Sequence, residues 1–95
     1  MAVYVDNPIW ERWERRWCHL LADDEHELHG LAVAIGCKRE RFQTKERRPW
    51  VDHYDIDEER RAKAIAAGAI ELTRSEVVAL VARKRAAVLA ARAGV

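Results

Sequence analysis

Two short histidine-aspartate pairs hold most of the chemistry this chain's side chains can offer: His19 with Asp23, and His53 with Asp55. Two imidazoles and two carboxylates form an acceptable ligand set for a divalent ion such as zinc or manganese, provided the fold brings the pairs together. A divalent metal is thus the candidate cofactor. The same residues also fit a purely structural role, each aspartate capping a following helix and each histidine hydrogen-bonded and half-buried. No His-Glu-x-x-His, Gly-x-x-x-x-Gly-Lys, Gly-x-Ser-x-Gly or zinc-ribbon spacing occurs.

Arg60 and Arg61 follow His53-Tyr54-Asp55 at the start of an expected helix, where a phosphate would meet both guanidinium groups and free backbone N–H groups. Pairing with Asp57, Glu58 or Glu59 is the alternative. His26 and His29 stand three residues apart on one helical face, and His29 borders the apolar stripe. Trp10, Trp13 and Trp17 are interleaved with arginines, a pattern that suits base stacking. The offsetting Glu11 and Glu14, and the need of a small domain for large core side chains, favour covering the sheet instead.

These residues need strands and helices to hold them. Ala2 to Val5 and Trp17 to Ala22 read as buried strands, the first delivering Asp6 and the second Asp23. Asp24 with Glu27 makes a capping box, and Leu28, Leu31, Ala32 and Ile35 follow helical spacing up to Gly36. The spacing thus predicts a helix over 25–35 and a short return strand over 38–43. Val51 to Ile56 is strand-like, Asp57 caps a second helix ending near Gly68, and 69–72 is a last strand. Thr73 and Glu76 box the start of a third helix. Residues 10–17 fit either a short helix or an irregular loop. The stretches 23–43 and 55–74 resemble a repeated strand-helix-glycine-strand unit. Alternating strands and helices predict an α/β fold: a small single-layer, mostly parallel sheet of about four short strands with three helices. Ligands of such sheets bind beyond the carboxyl ends of the strands, where Asp6, Asp23 and Asp55 are expected.

A chain of 95 residues builds one core, so residues 1–80 are expected to form a single α/β domain with 81–95 as its basic helical extension. From 74 to 95, five basic residues face Glu76 alone, yet the net charge is only +1, which argues against nucleic acid as the dedicated partner. No apolar run is long enough to span a bilayer and the first residues lack a signal pattern, so a cytoplasmic location and no membrane partner are expected. Cys18 and Cys37 then read as reduced, small hydrophobes.

Tyr4-Val5-Asp6, Trp17-Cys18-His19-Leu20-x-Ala22-Asp23, Glu27-Leu28-His29, Ile35-Gly36, Phe42-Gln43, His53-Tyr54-Asp55, Arg61-Ala62 and Gly68-Ala69-x-Glu71 occur in this order. Together they resemble the family called domain of unknown function 4031, over roughly residues 3 to 80. The resemblance implies a small bacterial or phage protein without an assigned activity. Matched residue by residue, it points to His19, Asp23, His29, Gln43, His53, Tyr54, Asp55 and Arg61 as the site. The tryptophan-rich 10–17 segment and the long last helix depart from the family's pattern.

Three functions fit. The leading expectation is a binding module that holds a small anionic, nucleotide-like ligand in a His/Asp/Tyr/Arg pocket at strand ends. The second is a metal-dependent phosphoesterase or nuclease using His19, Asp23, His53 and Asp55. The third is an interaction domain whose last helix pairs in a homodimer through Val77, Leu80, Val81 and Leu89. Whether the chain is an enzyme stays open at this point.

Overall fold

A computed structural model describes residues 2–8 and 10–94 of the chain. In order, the elements are β1 (Val3–Val5), β2 (Trp10–Arg12), β3 (Arg15–Ala22), α1 (Glu25–Ala34), β4 (Tyr54–Asp57), α2 (Glu58–Ala66), β5 (Ile70–Glu71) and α3 (Arg74–Ala93). Single 3-10 turns occupy Arg39–Arg41 and Pro49–Val51.

β3 is the longest strand and the hub. β1 and β2 both run antiparallel to it, and β4 does the same on its other edge, since Leu20 pairs with both Val5 and Tyr54. β5 joins β1 in parallel. The fold is therefore α/β with three helices, as expected, but the sheet is mixed and has five strands. Only one of its four pairings is parallel. The difference arises in residues 10–17, which form neither a helix nor an irregular loop. They are a β-hairpin, turning at Trp13-Glu14 with φ of 52° and 59°. A direct hairpin forces its strands antiparallel, whereas alternation with helices would have allowed parallel pairing.

Two other expectations are corrected. Residues 38–43 do not form a return strand: a 3-10 turn fills them, and Gln43 makes one isolated antiparallel bridge to His53. The strand expected from Val51 starts at Tyr54, because Pro49 opens a 3-10 turn first. The apparent repeat therefore fails in its first half.

Strand alternation separates two faces. Val5, Cys18, Leu20, Ala22, Tyr54 and Ile56 point to the core, where Leu28, Ala32 and Ile35 of the α1 region and Ala64 of α2 cover them. Asp24 and Asp57 cap these helices through the N–H groups of Glu27 and Arg60. Gly36 and Gly68 end them at φ of 88° and 103°, a conformation glycine adopts without strain. The opposite face carries Tyr4, Trp17, His19, Leu21 and Asp55.

α3 starts with the expected Thr73–Glu76 box and runs unbroken through positions 80 and 81. Along it, only Leu80 is fully buried. Polar contacts tie it to the end of β3: Lys84 Nζ donates to the Ala22 carbonyl at 2.7 Å, and Arg83 to Asp23 at 3.2 Å. Asp23 also accepts from the Ala2 N–H and the Tyr4 hydroxyl, each at 2.8 Å. Among the described residues, no helix is long and apolar enough to cross a membrane.

Leu20 is fully buried at the centre of the sheet. Leu20→Ala should lower unfolding stability by about 2–5 kcal/mol in urea titrations. Burial pushes the Asp23 carboxyl up, but the bonds from Tyr4, Arg83 and Ala2 outweigh it and hold it below the usual carboxylate range. A depressed carboxyl stabilises the fold above its unfolded value of about 3.9 and loses that contribution as the pH falls through the folded value. Asp23→Asn should therefore cost on the order of 1 kcal/mol at pH 7, with the gap to the parent closing in urea midpoints measured near pH 3.

Candidate functional site

The β1–β2 arm of the hairpin has four residues between Val5 and Trp10, against two between Trp17 and Leu20 on the facing stretch of β3. The surplus bulges, and it folds Asp6 back over β3. Its carboxylate accepts twice from one residue: from the His19 backbone N–H to Oδ1 and from the His19 ring Nδ1 to Oδ2, both at 2.6 Å. Asp6 itself is buried. A carboxylate only accepts, so the His19 proton facing Asp6 sits on Nδ1, and Nε2 is the ring's other nitrogen, available to a ligand.

His53 repeats this arrangement with a different acceptor. Its Nδ1 donates to the Val51 carbonyl at 2.7 Å, a contact made possible by the 3-10 turn over Pro49–Val51. Its Nε2 lies 3.4 Å from Asp55 Oδ1. His19 and Asp55 are directly opposed across β3 and β4, and the His19 and His53 rings meet edge to face at 5.1 Å. One ligand atom each from His19, His53 and Asp55 lies within 4.8 Å of the other two. Ligands of one tetrahedral zinc at ~2.1 Å stand about 3.4 Å apart, so a contraction of roughly an ångström makes them a coordination set. The three side chains are each between a fifth and a third exposed, which leaves the outer side of the set open to water.

Asp55 is further oriented by Gln43, whose Nε2 donates to Oδ2 at 2.5 Å. Burial pushes Asp55 up, but the bonds from His53 and Gln43 bring it below the usual carboxylate range, so it is ionised near neutrality. Burial alone would lower His53, and the Asp55 carboxylate and Val51 carbonyl turn this into a net rise. Cys18 lies on the core side, where burial pushes its thiol up to about 12 and denies it a role as nucleophile.

Of the eight residues expected to form the site, four converge: His19, Gln43, His53 and Asp55. Asp23 does not. Because β3 runs antiparallel to β1, its carboxyl end falls beside the start of β1, about 13 Å along the strand from His19. The metal set expected from sequence loses Asp23 for this reason. His29 and Tyr54 form a second cluster on the core face, with His29 Nδ1 2.7 Å from the buried Tyr54 hydroxyl and Nε2 3.0 Å from Glu25. Arg61 donates to the Asp6 carbonyl at 2.9 Å and to Glu71 at 2.9 Å, so it braces the bulge from behind. At the start of α2 the Arg60 N–H is taken by Asp57, which also accepts from the Arg60 and Arg15 guanidinium groups.

Two contributors escaped the candidate set. Asp6 was legible as a strand-end carboxylate, but its grip on His19 depends on the bulge. Trp10 packs its ring 4.9 Å from His19, opposite Trp17, and that placement depends on the hairpin. Beside the centre, Trp10, Trp13, Trp17, Arg12 and Arg41 join Gln43 and Asp55 around a cleft of about 120 Å³.

No curated protein and no solved structure matches this chain. Residues 3–84 of the 95 match the family described as protein of unknown function (DUF4031), and the chain belongs to that family.

Proposed function

We propose that this domain is a divalent-metal-dependent phosphoesterase, with His19, His53 and Asp55 as the metal ligands. The observation that carries the reading is the matched pinning of the two imidazoles. Both Nδ1 atoms are committed to oxygen acceptors, which leaves Nε2 as the ligating atom of each ring, that of His53 already 3.4 Å from Asp55. A ligating histidine held through its other nitrogen by a carboxylate or carbonyl is a recurrent feature of metal centres. Two histidines and one carboxylate on an open surface leave coordination positions for water and for one substrate oxygen.

An ion there would act as a Lewis acid and bring the pKa of a bound water down toward ~7. Held by His19, His53 and Asp55, such an ion would supply a hydroxide-like nucleophile for phosphate-ester hydrolysis, the ester P–O bond breaking as the new P–O bond formed and the leaving oxygen taking a proton from solvent. Asp6 holds the His19 ring in place throughout, and Gln43 does the same for Asp55. Arg12 and Arg41 favour an anionic substrate by charge. Binding of a small anion at this same centre without turnover is the second reading; it keeps the ligand class and omits the hydrolytic step.

Protein purified without chelator should bind Mn²⁺ or Zn²⁺ at one equivalent in calorimetry, and His19→Ala and His53→Ala should each abolish it. Asp6→Asn, which sets a donor against the His19 ring, should weaken the metal by about 10- to 100-fold. Metal-loaded protein should hydrolyse bis-p-nitrophenyl phosphate, and chelation should stop it. Metal binding without hydrolysis would leave the binding reading. Absence of metal binding would sink both forms of the centre.

A further inference from the structure

The hairpin tip is the least expected feature of the surface. Trp13 and Glu14 both have positive φ, the conformation of a two-residue turn usually supplied by Asn-Gly. A tryptophan there is strained, and local strain persists where something else requires the residue. Burial is not that requirement, because Trp13 is 64% exposed.

The ring is nonetheless held in place. The Arg12 guanidinium lies over it at 4.2 Å, and Trp17 meets it edge-on at 6.0 Å. Trp17 is fixed in turn by its indole N–H, which donates to the Arg12 carbonyl at 2.9 Å. Trp10, opposite Trp17 in the hairpin, continues the aromatic surface to His19. These rings wall the cleft of about 120 Å³ that ends at Gln43 and Asp55. Pockets that swallow whole drug-sized ligands are about 300–1,000 Å³, so this one fits a single flat ring system. Its rim carries Arg12 and Arg41.

From this arrangement we infer that the cleft takes the base of a nucleotide whose phosphate lies at the neighbouring centre. The inference rests on the metal centre proposed above for the phosphate position. The base stacks on the indole surface that walls the cleft, a mode that tolerates any base because each has a π-face. The arginines meet the negative backbone or phosphate. A free mononucleotide and the end of a single strand present the same base and phosphate, and salt dependence separates them.

The test compares thymidine 5′-monophosphate with 2-deoxyribose 5-phosphate on Mn²⁺-loaded protein by calorimetry. Stacking of one base should make the nucleotide bind at least about 5-fold tighter. Trp13→Gly should erase that preference. Because glycine accepts positive φ freely, the same variant should also melt at an equal or higher temperature, which a structural role for Trp13 would not allow. Equal binding of the two phosphates by the parent protein, or an unchanged preference in Trp13→Gly, would overturn the base site. The Mn²⁺ titration of the same samples reports on the metal centre separately, so failure of one is not mistaken for failure of the other. A 5′-phosphorylated ten-residue oligothymidylate that binds tighter than the mononucleotide, and loosens steeply with salt, identifies the single strand as the source. Equal affinity identifies the free nucleotide.

Discussion

The paired hydrogen bonds from His19 to Asp6 are what the rest of the site depends on. One carboxylate takes both the main-chain N–H and the ring of the same residue, so it fixes a backbone position and a tautomer together. This is possible because the β1–β2 arm has two surplus residues opposite Cys18 and His19. Asp6 belongs to this surplus and turns its carboxylate onto His19, as bulged residues near functional sites commonly do. Arg61 holds the bulge through the Asp6 carbonyl, linking α2 to the same point. A buried carboxylate without these donors would carry a desolvation penalty of several kcal/mol, so the bulge and the histidine stabilise each other.

The register of β4 against β3 couples the site to the core. Tyr54 and Ile56 fill the interior from one face while His53 and Asp55 present ligands on the other. A slip by one residue would drive Asp55 inward and turn Tyr54 out, which the apolar interior forbids. The geometry between His19 and Asp55 is therefore set by sheet spacing, about 5 Å across a pair, and not by the conformation of a loop.

Much of this was legible in the residues, and the rest was not for definite reasons. Helix boundaries carry local signals: Asp24, Asp57 and Thr73 accept from the N–H three residues on, and Gly36 and Gly68 take the left-handed conformation after α1 and α2. The pairs His19 and His53-Asp55 were visible as strand residues with useful chemistry, and the sheet does join them. Strand direction was not visible. The hairpin turn at Trp13-Glu14 has none of the glycine or asparagine that announces such a turn, so residues 10–17 hid both a strand and the antiparallel order that follows. That single omission displaced Asp23 to the wrong end of the sheet. Residues 38–43 failed for another reason: four charged residues in a row, Lys38 to Arg41, carry no strand alternation, and only Gln43 makes a bridge, to His53.

The edge of the sheet at β5 carries a further consequence. That strand has only two residues, Ile70 and Glu71, and Ile70 is largely exposed. An apolar side chain on an open edge would ordinarily invite a second chain to add itself to the sheet. Here the template is too short to hold a foreign strand in register, and Glu71 sets a charge in the path of one that tried. Brevity thus guards this edge against strand addition, and the sheet can leave it uncapped without building another element to cover it.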